Sequence, residues 1–299
     1  MKLWFILCLL TTSLSAQIGE QHYIVFNTRT QQITDLNAII TEMQTFDVLF
    51  FGEEHNDSVG HYLEARLLEL MYTAYNTNTA LSLEMFDRDV QPVMNEYLAG
   101  LIKEKHFTKD ARVWSNYRDY RPMVEYAKVK QLDVVCANAA SRYTNIAVRK
   151  GMAGLQQLPD DSRNYLAPVP FDTATGAYFQ KLVDVFSGHD SSMNAAAVTM
   201  PGMDMVMGQS TWDATMAWSV AEYLKAHKHS KVFQVNGRFH SDERYAVVAQ
   251  LKIYRPRAKA LVISSGADVN FPNINWDDHK KNGDYIIITD PKVPKTYTE

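Results

Sequence analysis

Asp47-Val-Leu-Phe-Phe51, running into Gly52-Glu-Glu-His-Asn-Asp57, is the stretch on which the reading of the whole chain turns. Four large apolar residues follow one another with no polar alternation. That pattern marks a strand covered on both faces, as in a parallel sheet. Gly52 lets the backbone turn sharply at its end. Asp57-Ser58 then offers a helix N-cap, and Leu63, Leu67, Leu70 and Met71 recur at helical spacing behind it. Strand, polar turn and amphipathic helix make one βα unit.

The same grammar repeats outward in both directions. Ala80-Leu-Ser-Leu83, Leu132-Asp-Val-Val135, Lys231-Val-Phe-Gln-Val235, Ala260-Leu-Val-Ile263 and Tyr285-Ile-Ile-Ile288 read as further buried strands. Leu36, Ile39, Ile40 and Met43 form another helical stripe. Alternation of this kind predicts an α/β fold with a mainly parallel sheet flanked by helices. From residue 91 to about 205 strand runs are sparse, and Pro159, Pro168 and Pro170 punctuate the chain. A smaller, mostly helical subdomain or cap is expected over about 149–205, inserted in a single α/β domain spanning 17–299. Pro291 and Pro294 in the last residues predict a frayed tail.

Residues 1–16 have the order of a secretory signal peptide: Lys2, an unbroken apolar run from Leu3 to Leu10, then small residues at Ser13, Ser15 and Ala16. The expectation is an exported product, periplasmic or associated with the cell envelope. Cys8 is preceded by Ile6 and Leu7 rather than small residues, so the chain is not an evident lipoprotein. Removing sixteen residues from 299 leaves 283, and loss of Lys2 moves the formal charge from −4 to −5. No basic run is present, which argues against nucleic acid as a partner. Beyond the leader the only cysteine is Cys136, so no internal disulfide can form. A buried cysteine of this kind usually serves as a small hydrophobe.

The strand ends carry the chemistry. Gly52-Glu-Glu-His55 delivers two carboxylates and an imidazole to the carboxyl edge of the sheet, where open α/β sheets form their ligand crevice. Far downstream, Gly237-Arg-Phe-His240 repeats the spacing of glycine, two residues and histidine, and Glu84 follows the second strand. Glu53, His55, Glu84 and His240 thus become candidates for one site. Glutamate and neutral histidine suit a divalent metal, or serve as general acid and base. A polar turn, or an ion-pair network that only stabilises the crevice, would use the same residues. There is no Gly-x-Ser-x-Gly elbow, no phosphate loop, no His-Glu-x-x-His helix and no Cys-x-x-Cys pair.

The two Gly-x-x-His motifs resemble the superfamily that contains the ChaN haem-binding proteins, the Tiki metalloproteases and the erythromycin esterases. Glu84-Met-Phe-Asp-Arg-Asp-Val-Gln91, Ala137-Asn-Ala-Ala140 and Gln209-Ser-Thr-Trp-Asp-Ala-Thr-Met-Ala217 narrow the resemblance to the ChaN side. It implies an exported haem- or iron-binding protein of the bacterial envelope, acting in haem or iron uptake. It also implies an outer-membrane receptor as partner, and haem held near the helical subdomain, between two subunits of a homodimer. Members are often lipoproteins, and here the attachment cysteine is missing.

Haem calls for an apolar slot, an axial ligand and cations for its propionates. Met193, Met200, Met203, Met205 and Met207 crowd one stretch, and thioethers mould themselves around a macrocycle. The same sulfurs would suit Cu(I), or simply fill a core. Tyrosinate is a known ligand of ferric haem, which makes Tyr143, Tyr165 and Tyr178 candidates with His189 beside them. Met203 and Met207 are the candidate slot residues, and Arg142 and Arg149 the propionate partners. The rival reading is a metal-dependent hydrolase, protease or esterase, using Glu53, His55, Glu84 and His240.

Overall fold

The apolar runs pair side by side because each has two apolar faces to cover. The computed structural model describes residues 18–187 and 195–298. Ten strands are present among them: β1 (Tyr23–Asn27), β2 (Gln32–Thr34), β3 (Val48–Glu53), β4 (Thr79–Asp87), β5 (Asp133–Asn138), β6 (Thr199–Met200), β7 (Met203–Asp204), β8 (Lys231–Gly237), β9 (Ala260–Ala267) and β10 (Tyr285–Thr289). All but β6 and β7 join one sheet in the order β2-β1-β10-β9-β3-β8-β4-β5. From β10 to β5 every pairing is parallel, while β1 lies antiparallel to both β10 and β2. The α/β class with a mainly parallel sheet is therefore what the sequence predicted. The antiparallel edge at β1 and β2 was not foreseen.

The helices divide between the two faces. On one side lie α1 (Leu36–Glu42), α2 (Ser58–Tyr75), α3 (Gln91–Leu98), α4 (Glu104–Asp110) and α5 (Tyr117–Lys130). On the other, α10 (Met205–Ala226) and α11 (Ala246–Tyr254) pack on the sheet, beneath α6 (Ser141–Gln156), α7 (Asp160–Arg163), α8 (Gly176–Ser187) and α9 (Ala195–Val198). Successive side chains of a strand serve opposite faces. Leu49 and Phe51 accordingly enter the core under α1 to α5, whereas Val48 and Phe50 pack with Met216, Ala217 and Val220 of α10.

Local chemistry fixes the element ends that matter for the site. The Asp57 carboxylate caps α2 by accepting from the Val59 amide at 2.9 Å, and its other oxygen accepts from Thr289 Oγ1 at 2.7 Å. Asp204 caps α10 through the Met207 amide at 2.8 Å. The stretch 149–205 holds the end of α6, then α7 to α9 and the short β6–β7 hairpin. The tail corrects the expectation of fraying. The Thr296 amide donates to the Asn56 carbonyl at 2.9 Å, and Ser58 Oγ and Arg118 also bond tail carbonyls, so the prolines direct the chain across the start of α2. Among the described residues, no helix is long and apolar enough to cross a membrane. Residues 1–16, His189 and Met193 lie outside the described residues.

Candidate functional site

Because β3, β8 and β4 are neighbours and parallel, their carboxyl ends open on the same edge of the sheet. Glu53 stands opposite Gly237 in the β3–β8 register. Beside Glu84 the β4–β5 register shifts between Leu83 and Asp87, an irregularity that re-aims side chains at a strand end. The result is a cleft of about 490 Å³ lined in part by Glu53, Glu54, His55, Gln209, Arg238 and His240.

Around that cleft the four sequence candidates form two carboxylate–imidazole pairs. His55 Nδ1 lies 2.9 Å from Glu53 Oε1, which also accepts from the Tyr120 hydroxyl at 2.8 Å. His240 Nε2 lies 3.4 Å from Glu84 Oε1, and the other Glu84 oxygen accepts the Gly237 amide at 2.7 Å. Gly237 separates the pairs. A Cβ built there would sit 2.9 Å from His55 Nε2 and 3.7 Å from Glu84 Oε2, so only glycine leaves the two pairs their close approach.

The His240 pair extends through Asp213, which the sequence reading did not single out, to Tyr178, which it named as a haem ligand instead. His240 Nδ1 meets Asp213 Oδ1 at 2.6 Å, and Asp213 Oδ2 accepts from the Tyr178 hydroxyl at 2.6 Å. Both ring nitrogens of His240 thus face carboxylate oxygens, which favours the doubly protonated ring. Burial opposes that charge, yet Glu84 and Asp213 hold the His240 pKa up at about 10. Burial likewise opposes the Glu84 carboxylate, but His240 draws its pKa down to about 2. On the other branch burial dominates. It pushes the Glu53 carboxyl up to about 8, with the neighbouring Glu64 adding to the rise. Against its own burial, His55 is raised to about 9 by the Glu53 hydrogen bond and the Glu84 charge. One pair is therefore a fixed ion pair, whereas in the other both groups are raised, Glu53 by burial and His55 by its carboxylate neighbours.

The residues expected around a haem scatter more widely. A second cavity of about 540 Å³ adjoins the cleft, sharing Phe186 and Gln209 with it. Its wall is Val148, Phe186, Met203, Met205, Gly208 and Trp212, with Ser141, Thr144 and Asn145 of α6 at the polar side. Met203 is there as the sequence suggested. Met207 is buried instead in the cluster between α6 and α10, together with Tyr143. The Tyr143 hydroxyl receives a bond from Arg142 at 2.9 Å, while Arg142 also pairs with Asp89 at 2.6 Å. Tyr165 packs against that same cluster. Tyr178 lines a different cavity, and burial and the Asp213 charge push its hydroxyl far above the usual tyrosine range. Arg149 donates at 2.9 Å to Asn145, a residue of the apolar cavity's wall.

His61 and Glu64, on the inner face of α2, were also missed. Their His-x-x-Glu spacing places them on one helical face, which is the signal that could have found them. Cys136 is buried and free, as expected of a small core residue.

Comparison with known proteins adds to this geometry. Residues 39–251 match the family model described as haem-binding uptake, Tiki superfamily, ChaN. No curated protein matches the chain. Among solved structures, one described as cofacial heme binding to ChaN of Campylobacter jejuni superposes with a TM-score of 0.67 at 17% identity. It covers 90% of this chain and 98% of that one, a likeness of fold. The type III effector HopBA1 superposes with a TM-score of 0.46 at 11% identity, over 85% of this chain and 93% of that one.

Proposed function

Because this chain belongs to the haem-binding uptake family of the Tiki superfamily that includes ChaN, we propose that it binds haem in the apolar cavity between α6, α8 and α10. The observation that carries the reading is the lining of that cavity. Val148, Phe186, Met203, Met205 and Trp212 supply an apolar wall with adaptable thioethers, which suits a flat macrocycle. Arg149, hydrogen-bonded to Asn145 of that wall, would supply a cation for a propionate. Bound haem would supply a ferric iron that takes an axial tyrosinate, histidine or methionine. For that role Met203 and Met205 line the cavity itself, whereas Tyr143 and Tyr165 belong to the core cluster beside it. Tyr178 suits it less, since its proton is held against Asp213.

The chain is proposed to act in haem or iron uptake at the bacterial envelope, exported by way of residues 1–16 and handing haem to or from an outer-membrane receptor. The leader-like order of Lys2, Leu3 to Leu10 and Ala16 supports export. Met200, Met203 and Val185 are exposed apolar side chains beside the cavity, and a second copy covering them would enclose the haem in a homodimer.

Hemin titration followed by absorbance tests the reading. Saturable binding is expected, weakened at least tenfold by Gly208→Val. A side chain there would start 2.7 Å from Val148 Cγ2 and fill the cavity floor. Equal affinity in that variant would place haem elsewhere. A second reading, hydrolysis by the Glu53, His55, Glu84 and His240 set, rests on Glu53, His55 and His240 lining one opening, with Glu84 paired to His240. Ester and peptide substrates assayed with the unmodified chain and with His55→Ala and His240→Ala would decide it.

A further inference from the structure

Behind the cleft, Glu53, His61 and Glu64 meet in a space closed to solvent. Glu53 and Glu64 side chains are wholly buried, and His61 is nearly so. One carboxylate oxygen from each glutamate and one His61 ring nitrogen lie within 4.8 Å of one another. His61 Nδ1 stands 3.3 Å from Glu53 Oε2 and 3.2 Å from Glu64 Oε2. Atoms bound to one cation at about 2.1 Å stand roughly 3.0–3.4 Å apart, the spacing found here.

The other contacts of these groups point the same way. His61 Nε2 lies 3.1 Å from the His55 carbonyl oxygen, which can only accept. Nε2 therefore carries a proton, and in the neutral ring Nδ1 turns a lone pair toward the two carboxylates. A histidine whose second nitrogen donates to a carbonyl is the usual arrangement of a metal ligand. Glu53 Oε1 is already occupied by Tyr120 and His55, which leaves Oε2 for another partner. Glu53 Oε2, Glu64 Oε1 and Asp119 Oδ2 are buried without any hydrogen-bond donor. Asp119 Oδ2 lies 3.9 Å from His61 Nε2, on the far side of the ring. One Nδ1 position of His61 cannot serve both glutamate oxygens with a single proton. Buried oxygens without donors are costly, and a divalent cation would serve both glutamates at once.

We infer that Glu53, His61 and Glu64 bind a divalent transition cation of the Mn²⁺, Fe²⁺ or Zn²⁺ class, at a site separate from the haem cavity. Two carboxylates and one imidazole form a donor set for those ions. Of the four strand-end residues, only Glu53 belongs to it. The cation would reach the site through the cleft, which Glu53 also lines.

The test uses the full chain stripped with a chelator and titrated with Co²⁺, read by its visible absorption. One equivalent is expected to bind. Glu64→Gln should lose at least tenfold in Co²⁺ affinity while hemin binding stays unchanged, and His240→Asn should keep the Co²⁺ site. Absence of a stoichiometric Co²⁺ spectrum, or equal affinity in Glu64→Gln, overturns the inference and leaves the glutamates sharing protons only. If Glu64→Gln fails to fold, proton NMR of the unmodified Co²⁺ form decides. One paramagnetically shifted imidazole N–H supports His61 as the single histidine ligand, and two would move the cation to His55 and His240.

Discussion

Replacing Asp213 with alanine should destabilise the protein by about 3–5 kcal/mol, the usual cost of removing one partner from a buried charge pair. Two donors depend on this carboxylate, His240 Nδ1 at 2.6 Å and the Tyr178 hydroxyl at 2.6 Å, and all three residues are at least nine-tenths buried. Each donor left without an acceptor costs about 1–3 kcal/mol, so two give about 2–6 kcal/mol, which brackets that range by a second route. At about 2 °C per kcal/mol for a domain of this size, Tm should fall by roughly 6–10 °C. Tyr178→Phe removes only one bond and should cost about 1 kcal/mol. The pH dependence identifies the cause. The His240 pKa is raised in the folded state from 6.5 to about 10, so the stability it contributes is complete below pH 6.5 and is lost as pH rises toward 10. Asp213 is one of the carboxylates that hold it up. The gap between the variant and the unmodified chain should therefore be widest near pH 6 and narrow by pH 9.5 in urea denaturation. A loss under about 1 kcal/mol at pH 6, or a gap of constant width, would refute the pairing of a protonated His240 with Asp213.

Three other outcomes follow from the same geometry. In chelator, burial raises Glu53 to about 8 and Glu64 to about 7 from 4.5, so their neutral forms stabilise the fold at low pH and that contribution is lost as pH rises through 7 and 8. Metal-free Glu64→Gln should then be more stable than the unmodified chain at pH 8, by up to about 3 kcal/mol, and a lower melting point would contradict this. Gly237→Ala should push the partly exposed His55 ring off Glu53. Its titration by NMR should fall from about 9 toward 6.5, and an unmoved titration would mean that the ring tolerates the new methyl group in place. The Cys136 thiol, buried and pushed far up in pKa, should resist alkylation until the chain is unfolded. Rapid native labelling would show that β5 opens.

The six strands read from sequence were legible because a strand covered on both faces needs an unbroken apolar run, as in Val48 to Phe51 and Ile286 to Ile288. β2 escaped because it lies at the antiparallel edge, where Gln32 and Ile33 are exposed and the run is short, whereas β1 carries a run, Tyr23 to Phe26, as apolar as that of β3 and was overlooked. Glu53, His55, Glu84 and His240 could be named because strand ends are visible in the pattern, and the parallel order β3-β8-β4 then brings them around one cleft. Their division into two pairs was not legible, because it depends on Gly237 and on the register shift after Leu83. Asp213 reaches His240 from α10, a helix buried on so many sides that its polar positions carry no amphipathic signature. His61 and Glu64 were hidden for a related reason. They face inward from α2 among Val59, Leu63 and Leu67, so their His-x-x-Glu spacing was the one signal in the sequence, and the contact with Glu53 gives it meaning.

Titration of the purified chain with hemin, read by absorbance and checked by size exclusion, tests the central claim most directly. A saturable Soret shift at a defined ratio, co-migrating with the protein and weakened in Gly208→Val, is the expected result. A featureless, non-saturating response, or a shift that Gly208→Val leaves untouched, would contradict haem binding in the cavity between α6, α8 and α10.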